Sequence, residues 1–137
     1  MKTKIAFVCV HNSCRSQMAE AVAKQDFSDL FEAYSAGTET KPEINQTAVQ
    51  LIKEAYDINI NETQSSKLIS GIPEVDIVIT MGCNVDCPHL PNKHREDWGL
   101  DDPSGKPYDE FKETLALIQS KMADLKERIE SGFISLD

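Results

Sequence analysis

KIAFVCVHNSCRSQMAEAVAKQ, residues 4–25, changes character twice within its length. Lys4 to Cys9 is a short apolar run with β-branched and aromatic members, and it reads as a buried strand. His11 to Ser16 is a polar turn. Beyond it Met18, Ala21, Val22 and Gln25 fall at helical spacing, with Met18 and Val22 on the apolar face. Strand, tight polar turn and helix make the first half of a βαβ unit.

The remaining chain continues the alternation. Phe31 to Ser35 is a second strand candidate, ended by Ala36-Gly37. From Ile44 to Ala55 the apolar positions Ala48, Leu51, Ile52 and Ala55 follow an amphipathic helical rhythm. Ser65 to Ser70 reads as a short helix, and Val75 to Met81 (VDIVITM) as the best strand of the chain. Gly82 to Pro107, rich in proline and glycine, is a long loop with a brief fourth strand at His94 to Trp98. Phe111, Leu115, Ile118, Met122, Leu125 and Ile129 draw one apolar stripe on a helix that starts at Tyr108 or Asp109 and stops at Gly132. The expectation is a single α/β domain over residues 1–137, with a four-stranded parallel sheet flanked by helices. Ligands of such sheets bind beyond the carboxyl ends of the strands, at a switch point. The turn after the first strand and the loop after VDIVITM both belong to that edge. The cysteine pairs Cys9/Cys14 and Cys83/Cys87 fall in those two places.

Composition narrows the function. With 137 residues, 40% hydrophobic and 27% charged, the chain fits one folded domain and excludes collagen-like or wholly disordered classes. Fourteen Lys and Arg against 23 Asp and Glu give a net charge of −9, which repels phosphate backbones, so no nucleic-acid partner is expected. An anion site must therefore be local. The apolar stretch Ile5 to Val10 is too short for a secretion signal or a membrane span, so a cytoplasmic protein without membrane association is expected. In a reducing compartment, cysteines in close pairs point to redox chemistry, nucleophilic catalysis or metal binding.

CVHNSCRS supports the second of these. Cys9 ends a strand and Arg15 stands in the first helical turn, with short polar residues between them. A helix N-terminus offers unpaired N–H groups and partial positive charge, and it binds anions. Val10, His11, Asn12, Ser13, Cys14, Arg15 and Ser16 would wrap an oxyanion, with the Arg15 fork matching its oxygens. The same field favours a thiolate at Cys9, which places a nucleophile beside the group it attacks. Ser16 could donate to the Cys9 sulfur, and Asn12, able to donate and accept, could tie the loop together. Cys14 reads as a packing residue of the first turn, able to bridge to Cys9 under oxidation. The plainer alternative, a buried cysteine beside a surface arginine, explains neither the strand before nor the helix after.

VCVHNSCRSQMAEA resembles the phosphate-binding loop of the low-molecular-weight tyrosine phosphatase superfamily. NSCRSQMAEA, the later YSAG (Tyr34 to Gly37) and DWGLDDPSG (Asp97 to Gly105) are similar to the arsenate reductases built on that fold. Matches run from the N-terminus to about residue 111, in the same order. The resemblance implies Cys9 as nucleophile, Arg15 as oxyanion binder and Asp102, before Pro103, as the acid that protonates the leaving group. Asp101 is the neighbour with which Asp102 could be confused, and DDPSG is also a good turn sequence. The resemblance further implies a disulfide relay. The loop thiolate attacks arsenate, a second cysteine releases arsenite, and a third passes the disulfide to an external reductant, thioredoxin or a low-molecular-weight thiol, with no bound cofactor. Cys83 and Cys87, in MGCNVDCPHLP, are the candidates, and Cys87-Pro88 fits the family's final cysteine.

Several departures accompany it. The interval from Cys83 to Cys87 is shorter than expected for thioredoxin-linked members and also suits relatives that use a small thiol, so which cysteine attacks Cys9 stays open. His11 stands where many members carry Gly. Of a potassium site of some members, Asn12, Glu20 and Ser35 match, but Lys67 stands in place of an Asp, so a built-in ammonium could replace the ion. The runner-up activity is a phosphatase acting through a cysteinyl-phosphate. Against it, Ser-Gly-Lys rather than an aromatic pair follows Asp102-Pro103. A third reading is a non-catalytic oxyanion-binding or zinc-stabilised module; in the latter Cys83, Cys87, His89 and His94 would hold zinc, although their spacing is not that of a standard finger. Trp98 reads as core or as a wall of the site, and Lys126 to Glu130 as a solvated helix face.

Overall fold

The protein is described by a computed structural model covering residues 3–9, 12, 14–39, 43–82, 93–101 and 103–134. Its elements run β1 (Thr3–Cys9), α1 (Arg15–Asp26), β2 (Phe31–Gly37), α2 (Gln46–Tyr56), α3 (Ile60–Thr63), a 3-10 turn (Ile69–Gly71), β3 (Ile77–Thr80), β4 (His94–Asp97) and α4 (Tyr108–Glu130). The strands form one sheet in the order β2-β1-β3-β4, and every pairing is parallel. Strand order reverses between β1, whose first partner in sequence is β2, and β3 on its other side. Register brings Cys9 opposite Gly37, Val8 opposite Thr80 and Thr80 opposite Asp97, so the carboxyl ends of all four strands line one edge.

Alternation along β1 divides the core. Ile5, Phe7 and Cys9 join Ile77 and Ile79 on the face that packs against α1, α2 and α4. Ala6 and Val8, with Val75 and Val78, face a smaller cluster closed by Tyr34, Ile69 and Ile72, so the 3-10 turn covers that side. The strong stripe of α4 is buried as read: Phe111, Leu115, Ile118, Met122 and Leu125 are all in the core. α2 is capped by Asn45, whose Oδ1 accepts from the backbone N–H groups of Thr47 and Ala48 at 2.9 and 3.2 Å. α1 differs in kind, because every residue from Arg15 to Ala23 is buried. A helix buried all round must satisfy its polar side chains inside the protein, and those of Ser16, Gln17 and Glu20 are satisfied at the sheet edge.

Two local expectations are corrected. Ser65 to Lys67 is irregular, and Leu68 makes an isolated bridge to Gly37, so the helix expected at 65–70 shrinks to the 3-10 turn. A short helix not expected, α3, starts at Asn59, whose side chain accepts from the Asn61 N–H. β4 is held from the α4 side by a clip: the Arg128 guanidinium makes two 2.9 Å bonds to the Glu96 carboxylate, which also accepts from the Trp98 indole N–H at 2.7 Å. Among the described residues no helix is long and apolar enough to cross a membrane.

Candidate active site

β1 delivers Cys9 to the sheet edge, where it is buried, and α1 begins six residues later with Arg15. Asn12 between them takes the left-handed conformation (φ 50°), which Asn tolerates better than most residues. Its amide orientation is fixed by an obligate donor, the Lys67 backbone N–H, which points at Asn12 Oδ1 from 2.9 Å. Asn12 Nδ2 therefore faces Ser16 and donates to its hydroxyl oxygen at 2.9 Å. Ser16 Oγ lies 2.9 Å from Cys9 Sγ. While it accepts from Asn12, the hydroxyl keeps one proton and a second lone pair, so it can donate to a Cys9 thiolate or accept from a Cys9 thiol. The relay thus runs from the Lys67 N–H through Asn12 and Ser16 to Cys9.

A second layer holds Asn12. Gln17 Nε2 donates to the Asn12 carbonyl at 2.9 Å, to Asn12 Oδ1 at 3.0 Å and to the Ser65 carbonyl at 2.9 Å. Gln64 Nε2 in turn donates to Gln17 Oε1 at 2.8 Å and to the Gln17 carbonyl at 3.0 Å. Gln64 and Ser65 also line a cleft of about 210 Å³ with Glu43, Ile44, Asn61 and Ser66, so that cleft borders the amide bracket behind the loop.

Arg15 is 8% exposed, and its NH1 donates to two carbonyls from different loops, Met81 at 2.7 Å and Leu100 at 2.8 Å. The β3 exit and the segment leading to Asp101 thereby converge on the first residue of α1. Cys14 caps α1 without a side-chain cap bond and is buried in the larger core cluster, which fits its reading as a packing residue. Neither Cys9 nor Cys14 is in a disulfide. Trp98 is 5% exposed and packs its ring 5.8 Å from that of Phe7, so it is core.

Glu20 is the other buried charged side chain among the described residues, with 3% of its side chain exposed. Ser35 Oγ donates to its Oε1 at 2.5 Å, the Lys24 ammonium meets Oε2 at 2.5 Å, and the Lys67 ammonium stands 3.6 Å from Oε1. The built-in ammonium suggested at Lys67 is there, and Lys24 supplies a second one. With two ammoniums facing one carboxylate, this donor set does not fit a potassium ion as well.

Of the residues singled out in the sequence, the structure brings Cys9, Asn12, Arg15 and Ser16 together at one edge. Val10, His11, Ser13, Cys83, Cys87 and Asp102 lie outside the described residues, as does His89. His94 is on β4 with Nε2 2.7 Å from Glu96 Oε1, and among the described residues no group of metal-ligating side chains gathers. Sequence reasoning missed Gln17, Gln64 and Lys24. Gln17 and Glu20 were visible as polar residues on a helix with no solvent stripe, and Glu20-Lys24 as an i,i+4 pair.

A parallel sheet whose first strand ends in a cysteine, with an arginine opening the helix six residues later, is the frame of a class of thiol enzymes that act on oxyanions. The chain belongs to the low molecular weight phosphotyrosine protein phosphatase family, whose pattern matches residues 4–132. Within that family it is 40% identical over 131 residues to an arsenate reductase of Staphylococcus aureus (strain Newman), spanning 93% of this chain and 98% of that one. An arsenate reductase solved in a phosphate binding state superposes with a TM-score of 0.82 at 33% identity, covering 98% of this chain and all of its own. A thioredoxin-dependent arsenate reductase of Corynebacterium glutamicum gives a TM-score of 0.74 at 28% identity over 96% of this chain and 63% of that one.

Proposed function

We propose that the protein reduces arsenate to arsenite with its own cysteines and is then re-reduced by thioredoxin or a low-molecular-weight thiol. The observation that carries the reading is the relay ending on the sulfur, Ser16 Oγ 2.9 Å from Cys9 Sγ, next to Arg15 at the carboxyl edge of the sheet. The similarity to arsenate reductases supports the choice of substrate.

The chemistry balances as follows. The Cys9 thiolate attacks arsenic(V), an S–As bond forms, and one arsenate oxygen leaves as water after protonation by Asp102. Arg15 and the N–H groups of residues 10–16 hold the remaining oxygens. A thiolate from Cys83 or Cys87 then attacks Cys9 Sγ. The S–S bond forms, the S–As electron pair passes to arsenic, and arsenite departs as arsenic(III). Two thiols have become one disulfide, matching the two electrons gained. The external dithiol or thiol restores the starting state.

The test is NADPH consumption by the reduced protein with arsenate, thioredoxin and thioredoxin reductase, beside Cys83→Ser and Cys87→Ser. Turnover in the wild type that disappears in both variants is expected. Turnover with a small thiol but not with thioredoxin assigns the other reductant class. Hydrolysis of p-nitrophenyl phosphate with no arsenate turnover under either reductant replaces the reading by a phosphatase.

A further inference from the structure

Four glycines have positive φ, and only one of them is closely packed. At Gly99, Gly105 and Gly132 an added Cβ would meet nothing within 4 Å. At Gly82 (φ +87°) it would stand 2.7 Å from the Leu100 nitrogen, 2.8 Å from the Leu100 oxygen and 2.9 Å from the Gly99 carbonyl carbon. These are backbone atoms and cannot swing aside. The bare Cα of Gly82 is thus seated against the Leu100 peptide. A second contact holds it there: the Gly82 N–H donates to Asp97 Oδ1 at 2.8 Å, and the Thr80 hydroxyl donates to the same oxygen at 2.8 Å. Asp97 thereby ties the β3 exit to the end of β4.

The consequence falls on Arg15. The two carbonyls that share its NH1 belong to Met81, next to Gly82, and to Leu100, whose peptide Gly82 touches. They can converge on one nitrogen only while the two backbones are in contact. NH1 has two N–H bonds, and these two carbonyls use both. We propose that Gly82 and Asp97 are positioning residues for oxyanion binding: they bring the Met81 and Leu100 carbonyls together into the acceptor pair that aims the Arg15 guanidinium. Neither touches the oxyanion. This rests on the reading of Arg15 as the oxyanion ligand.

The experiment is calorimetric titration of the reduced protein with inorganic phosphate, which binds without redox turnover, together with thermal denaturation of each variant. Gly82→Ala is expected to weaken phosphate binding by about tenfold or more, because an aimed charged hydrogen-bond pair is lost. Gly132→Ala, with a similar φ at the far end of α4 and no collision, controls for backbone strain and keeps wild-type affinity. Asp97→Ala is expected to weaken binding several-fold, and Asp97→Asn, which keeps an acceptor at Oδ1, to restore it. This rescue decides the matter if Gly82→Ala fails to fold. Folded Gly82→Ala with wild-type affinity, or Asp97→Ala binding as tightly as Asp97→Asn, overturns the proposal while leaving the arsenate reading intact. A wild type that binds neither phosphate nor arsenate overturns both.

Discussion

Replacing Glu96 by Gln tests how β4 is fastened to α4. Burial pushes the Glu96 carboxyl up, but hydrogen bonds from Arg128, then His94 and Trp98, outweigh it and hold the carboxyl at about 2 instead of the ordinary 4.5. At ~1.36 kcal/mol per pKa unit, that difference has a ceiling of roughly 3.4 kcal/mol. The Glu96 and Arg128 side chains remain 20% and 26% exposed, so water screens the pair and about 1–2 kcal/mol is the expected net contribution. Because the folded carboxyl titrates below the unfolded one, the stabilisation is complete above about pH 4.5 and is lost as pH falls through about 2. Urea denaturation of wild type and Glu96→Gln at pH 6, 5, 4 and 3 should therefore show a gap of about 1–2 kcal/mol at pH 6 that narrows steadily below pH 5. A gap independent of pH would show that the cost is lost packing and that the charged clip contributes nothing.

Other outcomes follow from single contacts. Ser16→Ala removes the donor to Cys9, and iodoacetamide labelling of Cys9 mapped by mass spectrometry should slow by about tenfold, with turnover falling alongside. The double change Lys24→Met/Lys67→Met leaves the Glu20 carboxylate buried without its ammoniums and should cost roughly 2–3 kcal/mol in urea denaturation. Adding Glu20→Gln to that double variant should recover most of the loss. Asn45→Ala removes the α2 cap and should lower stability by about 1 kcal/mol without altering phosphate affinity.

Much of the fold was legible because it is written in local patterns. β1 and β3 are continuous apolar runs, as strands buried on both faces must be, and α4 carries a stripe that admits one reading. The parallel order followed from alternation of strands and helices. The helix expected at Ser65 to Ser70 is only a 3-10 turn at its end, because Ile69 there, with Ile72 beyond it, serves to cover the second face of the sheet. At the site, Cys9, Ser16 and Asn12 were legible from adjacency, since a six-residue turn leaves few places for its side chains. The partners of Arg15 were not. They are backbone carbonyls, which have no residue signature, and they lie 66 and 85 positions away. Gly82 read only as a loop breaker, because its requirement comes from the Leu100 peptide and not from its own neighbours in sequence.

The most direct measurement of the central claim needs no external reductant. Fully reduced protein mixed with excess arsenate should release about one arsenite per chain and lose ~2 Da, the mass of one disulfide formed. Peptide mapping should place that disulfide among Cys9, Cys83 and Cys87, and Cys9→Ser should yield neither arsenite nor mass change. An intact reduced protein that yields no arsenite and retains its full thiol count after incubation with arsenate would contradict the account.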